Sequence, residues 1–208
     1  MVYADRATAG RVLVESLGHL RATHPLVLGL PRGGVPVARA VADALGGDLD
    51  IVLVRKLGVP WQPELAMGAI GEGGIKVLNN DVIARTSVDR QQIAAVEARE
   101  AMELKRRADV LRGPGERIPL RGRTVVIVDD GIATGATAVA ACRVARAEAA
   151  ARVVVAVPVA PPDAIRRLMS VADEVVCPLV PNDLGGVGAA YADFHQLGDQ
   201  EVINLLRD

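Results

Sequence analysis

The sequence predicts an α/β fold, in which a doubly wound, mainly parallel sheet of about five strands is flanked by helices. Two observations predict it. Five short runs are apolar at consecutive positions, which is typical of strands that are covered on both faces. Segments with one apolar stripe at helical spacing separate most of these runs. Strands and helices that alternate in this way indicate a doubly wound sheet.

The predicted elements follow one another in a regular order. Leu13 and Leu17 mark an N-terminal helix, Val41 and Leu45 mark the helix after the first strand, and a long helix covers about 89–111. The five predicted strands lie at 26–30, 49–54, 124–128, 152–159 and 174–177.

One region interrupts the alternation. It spans 57–78 and is rich in glycine, with "ELAMGAI" and "GIKVLN" as strand candidates around "GEGG". This pattern predicts a β-hairpin or a mobile flap. The single tryptophan, Trp61, lies in the flap, where it either serves as a lid residue or packs the hairpin.

Composition and charge limit the function classes. No linker divides the chain, so 1–208 is interpreted as one domain, with a core at about 22–180 and a small C-terminal hood at about 181–208. The 24 basic and 25 acidic residues argue against a nucleic-acid partner or a membrane surface. Two distant cysteines, and no apolar run of signal or membrane length, predict a cytoplasmic protein.

The stretch "VVIVDDGIATGAT" carries the strongest chemical signal. Asp129 and Asp130 follow a predicted buried strand, and ligands of open α/β sheets bind beyond the carboxyl ends of the strands. The amides and hydroxyls of the next loop, at the start of a helix, can bind a phosphate. The two carboxylates suit sugar hydroxyls or a divalent cation. The alternative is a plain turn with a helix N-cap.

Two further segments are candidates for a second anion site. In "LPRGGVPVA", Gly33 and Gly34 let the backbone approach an anion, and Arg32 offers a bidentate donor. Arg55 and Lys56 end the next predicted strand at the same edge of the sheet. The alternatives are a plain strand–turn–helix connection and a solvated pair of cations.

The aspartate motif resembles the phosphoribosyl-diphosphate signature of the type I phosphoribosyltransferases. This resemblance implies that Asp129 and Asp130 accept hydrogen bonds from the ribose 2′- and 3′-hydroxyls. It implies a cradle for the 5′-phosphate, formed by Ala133, Thr134, Gly135, Ala136 and Thr137. It also implies a pyrophosphate site, formed by Arg32, Gly33, Gly34, Arg55 and Lys56.

The same resemblance implies the reaction. A 5-phosphoribosyl group would pass from phosphoribosyl diphosphate to a nitrogenous base, with release of pyrophosphate. The reaction would require Mg²⁺, held mainly by the substrate, with Asp129 and Asp130 as candidate direct ligands. The expected catalytic residues are Asp129, Asp130, Arg32 and Lys56. The family also implies a flap that closes over the site, a homodimer or larger homo-oligomer, and a role in purine or pyrimidine salvage.

The acceptor base is the least defined part of this interpretation. Ala133 stands where 6-oxopurine enzymes of the family carry an aspartate, which disfavours hypoxanthine, guanine and xanthine. Leu184 occupies the usual aromatic stacking position, and Tyr191 and Phe194 are either its surrogates or core anchors. The chain most resembles bacterial phosphoribosyltransferases of unassigned base specificity. Two alternatives stay open: a non-catalytic sensor of phosphoribosyl diphosphate, and a hydrolase in which water replaces the base.

Overall fold

The computed structural model describes residues 3–113 and 115–207. Its strands are, in chain order, β1 (Leu26–Gly29), β2 (Asp48–Ile51), β3 (Val54–Val59), β4 (Gln62–Gly71), β5 (Lys76–Leu78), β6 (Thr124–Val128), β7 (Arg152–Ala156) and β8 (Glu174–Val176). Five of them form a parallel sheet in the order β2-β1-β6-β7-β8, and β3, β4 and β5 form an antiparallel sheet. The predicted fold class is therefore confirmed.

The helices of the described residues are α1 (Arg6–Leu17), α2 (Gly34–Leu45), α3 (Asn80–Thr86), α4 (Arg90–Leu111), α5 (Ala136–Ala147), α6 (Pro162–Met169) and α7 (Asp199–Arg207). Helices α1, α2, α5 and α6 cover the two faces of the parallel sheet, whereas α3 and α4 pack against the antiparallel sheet. One apolar core lies between the sheet and α1 and α2, and another lies between the sheet and α5 and α6. Among the described residues, no helix combines the length and the apolar character of a membrane span.

The central strand β6 shows why the apolar runs are continuous. Val125 and Ile127 pack into the core beneath α5, whereas Val126 and Val128 pack into the core beneath α1 and α2. All four side chains are fully buried. Because successive side chains of a strand point to opposite faces, a strand covered on both sides must be apolar at every position.

The flap is built from the antiparallel sheet, and one predicted boundary was wrong. The predicted strand 49–54 is divided, since β2 ends at Ile51 and Val54 already pairs with Gly71 of β4. Arg55 and Lys56 therefore lie inside β3 and not at the carboxyl end of a parallel strand. The apolar run hides this break because the residues on both sides of it are buried.

The predicted hairpin around "GEGG" is confirmed as the connection of β4 to β5, through a short 3-10 helix at Glu72–Gly74. Gly73 has a φ of 75° there, a conformation that residues with a side chain rarely adopt. Trp61 lies in the two-residue turn between β3 and β4, with 56% of its surface exposed.

The long helix begins and ends as predicted. Asp89 and Gln92 form a capping box at its start, in which each side chain accepts a hydrogen bond from the backbone amide of the other residue. At its end, the partly buried Arg112 donates to Asp50 of β2 and to Glu72 between β4 and β5, with 3.0 Å between Arg112 Nη2 and Glu72 Oε2. These contacts connect the end of α4 to both sheets.

Candidate functional site

The two loops predicted to bind ligand lie against each other at the carboxyl edge of the parallel sheet. The backbone amide of Leu30, after β1, donates to the carbonyl of Val128 at the end of β6, at 2.8 Å. A Cβ atom on Gly33 would lie 2.0 Å from Oδ2 of Asp130, and one on Gly34 would lie 2.5 Å from the carbonyl oxygen of Val128. Both glycines are therefore required for this close packing.

Asp130 forms a buried ion pair that the sequence analysis missed. Its Oδ2 accepts a hydrogen bond from Nε of Arg6 at 2.8 Å, and both residues are buried. Arg6 is the first residue of α1, far from the aspartate motif in the chain, and no local pattern links the two. The hydroxyl of Tyr191 donates to the backbone carbonyl of Asp130 at 2.5 Å.

Burial and repulsion disfavour the ionised acids in the ligand-free protein. Removal from water raises the pKa of Asp129 well above its ordinary value of 3.8, and the neighbouring Asp130 carboxylate raises it further. Burial also raises the pKa of Asp130, although its hydrogen bond with Arg6 opposes that rise. A cation or a hydroxyl donor that reached this pair would favour the ionised form of both carboxyls.

The loop after the acids leaves a helix N-terminus open to solvent. Helix α5 begins at Ala136, and Gly135 before it has a φ of 81° and no side chain that could cap the helix. Ala133, Thr134, Ala136 and Thr137 are all exposed. The free amides at this positive end of the helix dipole, together with two hydroxyls, can bind an anion.

A second arginine that the sequence analysis missed stands beside this loop. Nη1 of Arg167, on α6, donates to the backbone carbonyl of Thr134 at 2.7 Å. The adjacent Arg166 instead forms an ion pair with Asp163 within α6. The sequence pattern of α6 does not distinguish Arg167 from Arg166, because the approach of α6 to the loop depends on the packing of β7 beside β6.

A cationic cavity opens beside the two loops. Its volume is about 520 Å³, and Pro31, Thr137, β3 and α4 all contribute to its lining. Four basic side chains line it against two acidic ones, namely Arg55, Lys56, Arg99 and Arg107 against Glu64 and Glu100. The cavity therefore favours an anionic occupant.

The predicted pyrophosphate residues are brought only partly together. Arg55 Nη2 lies 2.7 Å from Glu100 Oε2, and Lys56 Nζ lies 3.2 Å from Oε2 of the exposed Glu64. Both cations line the cavity. Nη1 of Arg32 instead faces Oδ1 of Asp199 on α7 at 3.6 Å, an exposed pair that contributes little stability.

The predicted base-binding residues lie in and around a buried cluster near the chain ends. Tyr191 is buried, with its ring centroid 5.5 Å from that of Tyr3 and 5.0 Å from that of Phe194. Leu184 is partly buried against the same cluster, and Phe194 is 36% exposed. Contact of these three residues with a base stays a prediction.

The acid pair fits a divalent cation that a substrate shares. Across residues 3–113 and 115–207, no three His, Cys, Asp or Glu side chains are grouped so that they could hold a metal ion by themselves. Asp129 and Asp130 offer two adjacent carboxylates, of which Asp129 is the less buried. Mg²⁺ is commonly bound by one or two carboxylates, with phosphate oxygens of the substrate as further ligands.

Comparisons with known proteins agree with this architecture. Two curated relatives from strains of Mycobacterium tuberculosis, both named "Putative phosphoribosyl transferase", are 54% identical over 205 residues, which cover 99% of this chain and 46% of each relative. The chain thus spans about half the length of these curated relatives. The crystal structure of TT1426 from Thermus thermophilus is 47% identical, with a TM-score of 0.92 over 99% of this chain and 98% of that one. The family model of the phosphoribosyl transferase domain matches residues 6–193, so the chain belongs to the phosphoribosyl transferase domain family.

Proposed function

We propose that this chain transfers the 5-phosphoribosyl group of phosphoribosyl diphosphate to a nitrogenous base and releases pyrophosphate. The observation that carries the proposal is the position of the acid pair at the end of β6. The open N-terminus of α5 follows the pair in the chain, the glycine loop packs against the pair, and the cationic cavity is lined by Pro31 of the glycine loop and by Thr137 of α5. An acidic site that adjoins two groups of anion-binding residues matches a ligand with phosphate at both ends of a sugar.

The residues divide into three binding roles. The loop Ala133–Thr137 binds the 5′-phosphate through its amides and the hydroxyls of Thr134 and Thr137. Asp129 and Asp130 accept hydrogen bonds from the ribose 2′- and 3′-hydroxyls. The pyrophosphate group is bound by Arg55 and Lys56 in the cavity, and by the backbone around Gly33 and Gly34 with Arg32 at its rim.

The chemistry follows from these positions. The bond from ribose C1 to the pyrophosphate oxygen breaks, and its electron pair leaves with the pyrophosphate. A ring nitrogen of the base forms the new bond to C1 and loses its proton to solvent. Arg55 and Lys56 stabilise the charge that develops on the leaving group, and the carboxylates favour the positive charge that develops on the sugar.

A bound Mg²⁺ would supply further neutralisation of the pyrophosphate charge. Asp129 and Asp130 are the residues that would hold it, with the remaining ligands from the substrate and water. The flap carries Arg55 and Lys56 on β3, so its closure over the ligand would bring these cations to the leaving group and exclude water.

The proposal is tested by the release of pyrophosphate from phosphoribosyl diphosphate, with Mg²⁺ and a panel of bases. We expect release to be faster with one base than with none, and adenine or a non-purine base to act better than 6-oxopurines, since Ala133 offers no side-chain acceptor. Asp129→Asn should lower the rate about 100-fold. The control is Asp109→Asn, which changes an exposed carboxylate of α4 that pairs only with Lys105 in the described structure.

Each other outcome contradicts the proposal in a different way. Release that no base accelerates, but that exceeds the spontaneous rate, would indicate a hydrolase. Tight binding without release would indicate a sensor. Absence of binding at millimolar phosphoribosyl diphosphate would contradict the ligand assignment itself.

A further inference from the structure

Arg6 makes three contacts that together hold its side chain in one orientation. Its Nε donates to Oδ2 of Asp130 at 2.8 Å, and its Nη1 donates to the backbone carbonyl of His195 at 3.0 Å. Its guanidinium carbon lies 4.0 Å from the ring centre of Phe194, as in a cation–π contact. The planar guanidinium is thus held between the carboxylate of Asp130 and the C-terminal residues Phe194 and His195.

The Asp130 side chain is held equally firmly. Oδ2 of Asp130 accepts from Arg6, and a Cβ atom on Gly33 would lie 2.0 Å from the same oxygen, so the backbone of Gly33 packs directly on the carboxylate. The Tyr191 hydroxyl donates to the backbone carbonyl of Asp130. We propose that Arg6 is a positioning residue for the phosphoribosyl-diphosphate site: it holds the Asp130 carboxylate in the direction in which the ribose meets it. This inference rests on the function proposed above.

The buried carboxylate of Asp130 is stable in its ionised form only with a cation beside it. Asp130 is buried, and a carboxylate that is removed from water is costly unless it is paired and hydrogen-bonded. Among the described contacts, Nε of Arg6 is the cationic donor to this carboxylate. Loss of Arg6 would leave the carboxylate without its charged hydrogen-bond partner, so its side chain would no longer be held toward the ribose.

The C-terminal segment adds three charged groups around Arg6. Asp193 and Glu201 act on Arg6 electrostatically, and both interact with the imidazole of His195.

Backbone contacts between the chain ends support the arrangement. The amide of Tyr3 donates to the carbonyl of Ala190, and the amide of Ala192 donates to the carbonyl of Tyr3, both at 2.7 Å. These bonds hold the start of α1 beside the 190–195 segment. Arg6 contacts Asp130 and is not among the residues that line the cationic cavity, so its loss should affect the ribose end of the ligand and spare the pyrophosphate end.

The test compares Arg6→Met and Arg6→Lys with Arg11→Met, which removes an exposed arginine of α1 that contacts only Thr8 in the described structure. Calorimetric affinities for phosphoribosyl diphosphate and for pyrophosphate are measured with Mg²⁺ under one set of conditions. We expect Arg6→Met to bind phosphoribosyl diphosphate at least about tenfold more weakly than the wild type. Pyrophosphate affinity should be unchanged, Arg6→Lys should recover part of the loss, and Arg11→Met should match the wild type.

One further comparison keeps the test decisive. If Arg6→Met does not fold, as thermal unfolding would show, the double variant Arg6→Met with Asp130→Asn removes both buried charges and should fold. It should bind phosphoribosyl diphosphate as weakly as Asp130→Asn alone, because Arg6 then has no carboxylate to hold, whereas weaker binding than Asp130→Asn would show that Arg6 acts elsewhere.

Three results would overturn the inference. One is wild-type affinity of Arg6→Met for phosphoribosyl diphosphate. Another is an equal loss of affinity for both ligands, which is the result of a purely structural role. The third is a wild-type protein that binds pyrophosphate but not phosphoribosyl diphosphate, which would show instead that the proposed function had failed.

Discussion

Asp129 and Asp130 are neighbours in the chain, but their side chains have different surroundings. Asp130 is enclosed by Arg6 and the backbone of Gly33, whereas Asp129 is partly exposed and accepts a hydrogen bond from the amide of Asp130 at 2.9 Å. Asp129 is therefore the more accessible of the two carboxylates. The resemblance to the family assigns both acids to the ribose, and the structure adds a physical difference between them.

Arg167 supports a prediction at the scale of one side chain. Arg167→Met removes the donor to the carbonyl of Thr134. The loop at 133–137, to which we assign the 5′-phosphate, then becomes less restrained and loses a neighbouring cation. A hydrogen bond of this kind contributes about 0.5–1.5 kcal/mol, which corresponds to roughly a two- to tenfold weaker affinity for ribose 5-phosphate. Calorimetry with ribose 5-phosphate measures the effect.

The neighbouring Arg166 provides the control for that prediction. Arg166→Met removes an exposed guanidinium that pairs with Asp163, so its affinity for ribose 5-phosphate should stay within about twofold of the wild type. Equal losses in the two variants would show a general effect of charge on α6 and not a specific contact with the loop.

The contact between two loops decides the geometry at the scale of elements. The connections β1–α2 and β6–α5 leave adjacent strands of the sheet at the same edge, and glycine at two positions lets them touch. The sequence analysis assigned these glycines to the approach of an anionic ligand. The group that lies closest to Gly33 is the carboxylate of Asp130.

Gly33→Ala is therefore expected to disturb the acid loop. Its Cβ would lie 2.0 Å from Oδ2 of Asp130, so the carboxylate must move away from its place against Arg6. We expect a loss of about 1–3 kcal/mol in the free energy of unfolding, measured with urea, and at least about tenfold weaker binding of phosphoribosyl diphosphate.

Gly18→Ala is the matched control, because Gly18 has a φ of −54° and a Cβ there would meet no atom within 4 Å. This variant should be as stable as the wild type or slightly more stable. Wild-type stability and affinity in Gly33→Ala would contradict the tight packing of the two loops.

At the scale of the whole molecule, the acid pair opposes the stability of the ligand-free protein. Below about pH 3.8, the ordinary pKa of an aspartate, Asp129 is protonated in both the folded and the unfolded chain. As the pH rises above this value, the unfolded chain loses the proton first, since the folded-state pKa is raised. Stability therefore falls with rising pH until the pH exceeds the folded-state pKa.

Asp129→Asn should remove this cost. The asparagine Oδ1 can still accept the amide hydrogen of Asp130, and it carries no charge. We expect the ligand-free variant to be more stable than the wild type at pH 8, by about 1.4 kcal/mol for each unit by which the pKa of Asp129 is raised, with little difference near pH 4. Urea unfolding at the two pH values measures it. A variant that is less stable than the wild type at pH 8 would contradict the raised pKa.

The sequence by itself determined the features that depend on neighbouring residues. The parallel strands are continuous apolar runs because both of their faces are buried, and α4 begins directly after Asp89 because the capping side chain and its partner lie three residues apart. The turn before α5 follows from Gly135 and the small residues around it, which are consecutive in the chain. In each case, the physical cause acts within a few residues, so a local pattern carries the information.

Only the tertiary structure decided the contacts between distant segments. The break after Ile51 was concealed because Val52 and Leu53 stay buried where the chain passes from one sheet to the other. Arg6 meets Asp130 across 124 positions, and nothing near either residue distinguishes that arginine from the exposed ones. Packing of α1 against the sheet, and of the C-terminal segment against α1, removes both charges from water. The desolvated guanidinium and carboxylate are then held together because separation would leave each of them buried without a partner.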